Sequence, residues 1–489
     1  MAKARLLSCT LFAIIIIIRT ILNGQRKSHF IYIDKEVFMM YACLVPHPPL
    51  IIPGIGTGHE IPDTRRSFEQ IADKLAAYKP DTVVIISPHS ILYSDYFHIA
   101  PGKGASGDFS TFGAEDIKYS VSYDKELAGL IGKLARKQGI SAGSEGSRSP
   151  ALDHGVMVPM YFLKPGKIVR ISLSGFSLAE HYRFGMCINE AARMLSRKIA
   201  VVASGDMSHK LKEDGPYGFT VDGPRHDQFV YDCIKSQDFR RLMTIDTGLC
   251  ERAAECGLRS LVMLLGALDG MNVVSRVLSY EGPYGVGYLT ADFIGEGEAT
   301  SLFPKIMEDR QRQLMQKRKH EDVYVRLARQ NIESYVNTGS CIRMPEGLPS
   351  DMLLHRAGVF VSIKKDGQLR GCIGTMAPTQ NHIAEEIIKN SVSAACYDPR
   401  FSPVAPEELD DLIYSVDVLS PAERIDSPDE LDVRLYGVIV RCGHKNGLLL
   451  PNLDGVDTVE QQIDIAMRKA GIGADEPYTL ERFKVVRHT

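Results

Sequence analysis

Several short runs of the chain are apolar without interruption. Tyr41–Val45, Val83–Ile86 and Ile199–Ala203 each read as a strand buried on both faces of a parallel sheet, and Ile168–Leu173 reads as a further strand. Between them lie stretches with apolar residues on one helical face. Arg65–Tyr78 carries Phe68, Ile71, Ala72, Leu75 and Ala76 at helical spacing, and Asp124–Lys137 and Leu178–Leu195 repeat the pattern. Residues 41–89 therefore read as a βαβ unit whose crossover sets its two strands side by side. Further helical stretches are expected around His226–Arg241 and Cys250–Leu268, and strands at Val273–Tyr280 and Val286–Phe293. Residues 101–118, rich in Gly and Ser and without periodicity, are expected to form a long loop. This is an α/β pattern: a mixed sheet flanked by helices.

After residue 295 the pattern changes. Residues 296–321 read as a charged helical linker. From 322 to 489 the character is α+β: hairpin strands at Val359–Ile363 and Leu369–Ile373, a helix at His382–Ala395, a strand at Ile413–Leu419, and a second hairpin across His444–Gly447. Four segments follow: 1–39, an N-terminal extension; 40–295, the larger domain; 296–321, the linker; and 322–489, the smaller domain. At 489 residues the chain is long enough for two cores.

Composition narrows the setting. Apolar residues make up 44% and charged residues 24%, and the net charge of −3 gives no reason to expect nucleic-acid binding. Ten scattered cysteines without a CxxC pair suit reduced thiols in a cytoplasmic protein. Leu6–Leu22, with isoleucines from Ile14 to Ile18, is the one stretch resembling a membrane anchor. Arg19 interrupts it, and Met39-Met40 just before the first strand favours an over-extended start. The protein is expected in the cytoplasm and as a homo-oligomer.

The candidate chemistry sits at strand ends. Tyr41–Val45 runs into Pro46-His47, and Val83–Ile86 into Ser87-Pro88-His89, so two imidazoles leave one rim of the sheet. Two histidines and one carboxylate on one face suit ferrous iron. Glu281, beside a Gly-Pro turn, is the best-placed carboxylate, with Asp206 and Asp153 as runners-up.

The combination of Pro46-His47-Pro48-Pro49, Ser87-Pro88-His89, Leu152-Asp153-His154-Gly155, Gly205-Asp206-Met207-Ser208-His209 and Ser279-Tyr280-Glu281-Gly282 resembles the class III extradiol ring-cleavage dioxygenases of the LigB type. The resemblance implies Fe(II), or another divalent metal, on His47, His89 and Glu281. It also implies His209 as acid/base, His154 beside the substrate, and a catechol-like small molecule and dioxygen as reactants. The related Memo family shares the fold but departs at the carboxylate ligand, and Glu281 favours the dioxygenase pattern. The alternative is a diverged, Memo-like metal-binding component.

Leu369-Arg370-Gly371-Cys372-Ile373-Gly374-Thr375 with Asp398-Pro399-Arg400-Phe401 resembles the AMMECR family. Together the two domains resemble the fusion proteins of AmmeMemoRadiSam systems, which implies a separate radical-SAM enzyme as partner. Arg370 and Cys372 are the candidate residues of this domain. Alternation along the strand puts them on one face, where Arg370 would lower the pKa of the thiol.

Overall fold

The computed structural model describes residues 14–22, 25–33 and 38–489, apart from 58, 150, 366, 454 and 455. Contacts divide the chain into two compact units. The first is 1–242 with 255–303, and the second is 243–254 with 304–489.

The first unit is built on an eight-stranded mixed sheet. Its order is 272–281, 288–296, 39–45, 199–204, 82–87, 167–172, 114–123 and 104–109. The four apolar strands Met39–Val45, Ile199–Ser204, Thr82–Ser87 and Lys167–Ser172 lie at its centre and run parallel. Both of their faces are covered, which is why three of them read as continuous apolar runs, while Lys167–Ser172 carries a buried Arg170 that donates to the Ala151 and Ser149 carbonyls. Tyr41, Cys43, Val83, Ile85 and Val202 pack on one side with Phe68 and Ile71 of the helix Pro62–Tyr78 and Val156 of His154–Leu163. The helices Leu178–Met194 and Leu258–Ala267 pair with each other on the opposite side.

Two expectations need correction. The strands bearing His47 and His89 are not neighbours, because Ile199–Ser204 pairs with both and lies between them. The crossover leaves room for a later strand, and the two histidines still emerge at one rim. Residues 101–118 are not a loop either. Gly104–Phe109 and Ala114–Tyr123 form an antiparallel hairpin at the sheet edge, with a register shift at Asp108/Phe109. Partly exposed edge strands bury few side chains, so apolar periodicity does not mark them.

Ile14–Leu22 and Gln25–Ile33 are strands that pair with each other in a separate two-stranded sheet. No helix among the described residues is long and apolar enough to cross a membrane. The first part of the anchor-like stretch, Leu6–Ala13, lies outside the described residues.

The second unit has two four-stranded sheets. One runs 368–374, 359–365, 412–419, 485–488, and the other 423–425, 479–483, 437–442, 445–449. Val359, Val361, Ile363, Tyr414 and Val416 share a core with the helices Val323–Thr338 and Ile383–Cys396. The second hairpin turns at Gly443-His444, a shorter connection than the sequence suggests.

Candidate metal centre

The site is assembled at the carboxyl ends of the central strands. His47 follows Met39–Val45 and is 2% exposed. Its backbone N–H donates to Asp206 Oδ1 at 2.8 Å, which ties together the ends of two adjacent strands. The ring orientation follows from one buried hydroxyl. Ser204 Oγ lies 2.5 Å from Gly155 O and 2.9 Å from His47 Nδ1. A serine has a single proton, and the carbonyl can only accept, so the hydroxyl donates to Gly155 and accepts from Nδ1–H. Nε2 of His47 is left with its lone pair, directed to the site.

His89 presents its Nε2 to that atom at 2.9 Å. Its loop is fixed by Asp153, whose carboxylate accepts from Ser87 Oγ and Ser90 Oγ, each at 2.6 Å. Asp153 also caps the helix His154–Leu163 through Val156 N–H, so it sets the position of His154 as well. The rings of His89 and His154 lie 4.1 Å apart, and that of His154 is 5.3 Å from His47. His47, His89 and His154 each offer a ring nitrogen within 4.8 Å of the others.

Glu281 is not in this group. It ends the strand Asn272–Glu281 at the same side of the sheet, but its Oε1 accepts from Thr64 N–H at 2.6 Å, in the first turn of the helix Pro62–Tyr78. Unpaired N–H groups at a helix start attract a carboxylate, a competition the strand-end pattern does not reveal. His209 leaves the strand Ile199–Ser204 and stacks edge-on to Tyr217 at 5.2 Å, and its charge acts on both His47 and His89. Of the runner-up carboxylates, Asp206 places Oδ2 3.9 Å from His47 Nε2.

Cys256 escapes notice in the sequence. Its Sγ lies 3.7 Å from His47 Nε2 and accepts from Asp206 N–H at 3.2 Å. The approach depends on glycine: a Cβ on Gly205 would stand 2.1 Å from Gly257 Cα. The available sequence signal is this small residue directly after the cysteine, with no spacing that ties it to the histidines.

Burial sets the protonation of the cluster. It holds His47 well below the usual imidazole range, aided by the other histidines, and brings His154 down to about 4. His89 is lowered for the same reason. Burial also pushes Asp206 up to about 7 and, with the nearby Asp206 charge, raises the Cys256 thiol. Near neutral pH the site thus presents uncharged imidazoles, the form that donates a lone pair to a metal.

The donors fit a divalent transition ion. Imidazole nitrogens bind such an ion at about 2.0–2.1 Å, so two on one ion stand within about 4 Å of each other, and the two Nε2 atoms here are 2.9 Å apart. A cavity of about 840 Å³ adjoins His154, walled by Phe112, Lys118, Leu152 and Met157.

The catalytic LigB subunit of aromatic ring-opening dioxygenase matches residues 41–291, the stretch that carries this rim of histidines. The chain belongs to the LigB family. The AMMECR1 family matches residues 325–488, so a LigB-family domain and an AMMECR1 domain share one polypeptide. Protein CA_C1420 of Clostridium acetobutylicum is 41% identical over 91% of this chain and 98% of its own length. A protein of Thermotoga maritima is 49% identical over 34% of this chain and 98% of its own. Among solved structures, protein PH0010 of Pyrococcus horikoshii is 35% identical, covering 34% of this chain and 88% of its own, with a TM-score of 0.32.

In the AMMECR1 domain the expected pairing of Arg370 with Cys372 does not form. The ladder pairs Ile363 with Gly371 and Lys364 with Leu369, so Arg370 is the extra residue of a bulge. A bulge interrupts the alternation of faces. Arg370 turns to Glu408, with bonds of 3.0 and 2.8 Å, while Cys372 accepts from Ser362 Oγ at 3.2 Å. The cation beside Cys372 is Arg400, which donates to its carbonyl at 3.1 Å. Burial raises the thiol, despite Arg400.

Proposed function

We propose that the LigB-family domain is an Fe(II)-dependent oxygenase that opens a catechol-like ring with dioxygen, and that the metal sits between His47 and His89. The observation that carries this reading is the pair of facing Nε2 atoms, 2.9 Å apart, with the His47 tautomer fixed through Ser204. Bound Fe(II) would supply the redox chemistry and a shared anchor for the two reactants. The chain's own groups provide the rest. Phe112 and Met157 offer apolar surface for a ring. His209 takes a hydroxyl proton from the catechol at a ring nitrogen, and neutral His154 donates a hydrogen bond to the oxygen on which charge develops.

A second reading rests on Glu281 and Cys256. With Glu281 held by Thr64 N–H, the donors beside His47 Nε2 are the Cys256 thiol at 3.7 Å and Asp206 Oδ2 at 3.9 Å, in place of the expected glutamate. That favours a metal-binding component that has lost ring cleavage and serves a pathway with a separate radical-SAM enzyme. Oxygen uptake by anaerobically iron-loaded protein, offered a panel of catechols, separates the two. The oxygenase reading expects uptake that falls at least about a hundredfold in His209→Gln. Full metal occupancy with no uptake on any catechol would select the second.

A further inference from the structure

The second unit contains a cavity of about 900 Å³, the size that encloses a small organic molecule. One wall is the sheet face turned away from the core: Phe360, Ser362 and Lys364 alternate with the buried Val359, Val361 and Ile363. Cys372 stands level with Ser362 on the next strand. Opposite are Leu448, Leu449 and Leu450, and Lys469 of the helix Val459–Ala470.

The charges of this cavity do not cancel. Asp417 is matched by Arg487 through bonds of 2.8 and 3.0 Å, and Glu321 by Arg329 at 2.8 Å. Arg400 holds Asp398 at 2.7 Å. Lys317, Lys364 and Lys469 line the same space, and none has a carboxylate partner among the described residues.

We propose that this cavity binds a small organic anion, with its apolar body against Phe360 and the leucines at 448–450, and its acidic head group at Lys469 beside Cys372. Lys469 is near enough to Arg400 and Cys372 for both to act on its ionisation. Burial, with the Arg400 charge, lowers the ammonium of Lys469, a cost that an anion would relieve. Cys372, a protonated thiol at neutral pH, is a contact group in this site.

The test uses the full chain and the fluorescent anion 1-anilinonaphthalene-8-sulfonate, an apolar body with a single acidic head. Binding is followed by fluorescence, and alkylation of Cys372 by mass spectrometry. The expected result is saturable binding of one dye per chain that slows Cys372 alkylation. Lys469→Glu should weaken it about ten-fold or more, the value of one charge-assisted contact. The uncharged analogue N-phenyl-1-naphthylamine should not distinguish the two proteins. Should Lys469→Glu prove unstable, Lys364→Glu on the facing sheet serves in its place. Dye binding that leaves Cys372 alkylation unchanged, or equal affinity in the wild type and the charge-reversed variant, would overturn the proposal.

Discussion

At the scale of single residues, the proposed metal centre depends on a serine as much as on its histidines. Ser204 donates its hydroxyl hydrogen bond to Gly155 O and thereby decides which nitrogen of His47 faces the site. Removing such an outer partner typically lowers metal affinity about 10–100-fold. Ser204→Ala should show that loss in a competition titration against a chelator, with the fold retained. His47 and His89 were legible in the sequence because proline ends a buried strand abruptly and leaves the next side chain at the rim. Cys256 was not, because 209 residues separate it from His47 and only the folded sheet end brings them together. Glu281 was legible as a strand-end carboxylate. Its capture by Thr64 N–H depends on where the helix Pro62–Tyr78 begins in space.

Elements add constraints that no single residue carries. The bulge at Arg370 separates it from Cys372 and delivers it to Glu408. Burial pushes Glu408 up, yet the Arg370 bonds, the Ala405 N–H and the Lys365 charge outweigh it and bring the carboxyl down to about 2 from its usual 4.5. A depressed carboxylate contributes stability above its unfolded pKa and loses it as pH falls through the folded value. This contribution should therefore be complete above about pH 4.5 and disappear towards pH 2. Arg370→Ala leaves the half-buried Glu408 with only Lys365 and the Ala405 N–H, and should cost about 1–3 kcal/mol at neutral pH by denaturant unfolding. It should also flatten that acid slope and leave the pH profile of Cys372 alkylation where it was. A shift of that profile would mean that Arg370 acts on the thiol after all.

The helix pair Leu178–Met194 and Leu258–Ala267 shows the same dependence on close approach. A Cβ on Gly185 would stand 2.1 Å from Met263 O, and one on Gly266 2.0 Å from Tyr182 O. Gly185→Ala must part the helices, and a loss of about 1–3 kcal/mol in unfolding free energy is expected. Leu178–Leu195 was legible as a helix, and Leu258–Ala267 as part of a stretch expected over Cys250–Leu268 that the structure breaks at residues 254–257, but their contact depends on residues that carry no hydrophobic signal.

For the whole molecule, the order of elements was more legible than their adjacency. Continuous apolar runs identified the central strands, because burial on both faces removes polar positions. Which strand lies beside which is set by crossovers that leave gaps to be filled later, as Ile199–Ser204 fills the one between Met39–Val45 and Thr82–Ser87. The edge hairpin at 104–123 was hidden because little of it is buried. At the other extreme, among the described residues the strands Ile14–Leu22 and Gln25–Ile33 pair only with each other. A chain begun at Phe38 should therefore fold and hold metal at the stoichiometry of the full chain. Loss of metal from that truncation would show that the hairpin supports the first unit.

The most direct measurement is metal stoichiometry after anaerobic loading with Fe(II) and removal of excess ion, in the wild type and in His47→Ala, His89→Ala, Cys256→Ala and Glu281→Gln. One ion per chain is expected in the wild type and none in either histidine variant. A larger loss for Cys256→Ala than for Glu281→Gln would match the distances at the site, and the reverse would restore the carboxylate as third ligand. Full occupancy in His89→Ala, with circular dichroism unchanged, would contradict a metal centre between His47 and His89.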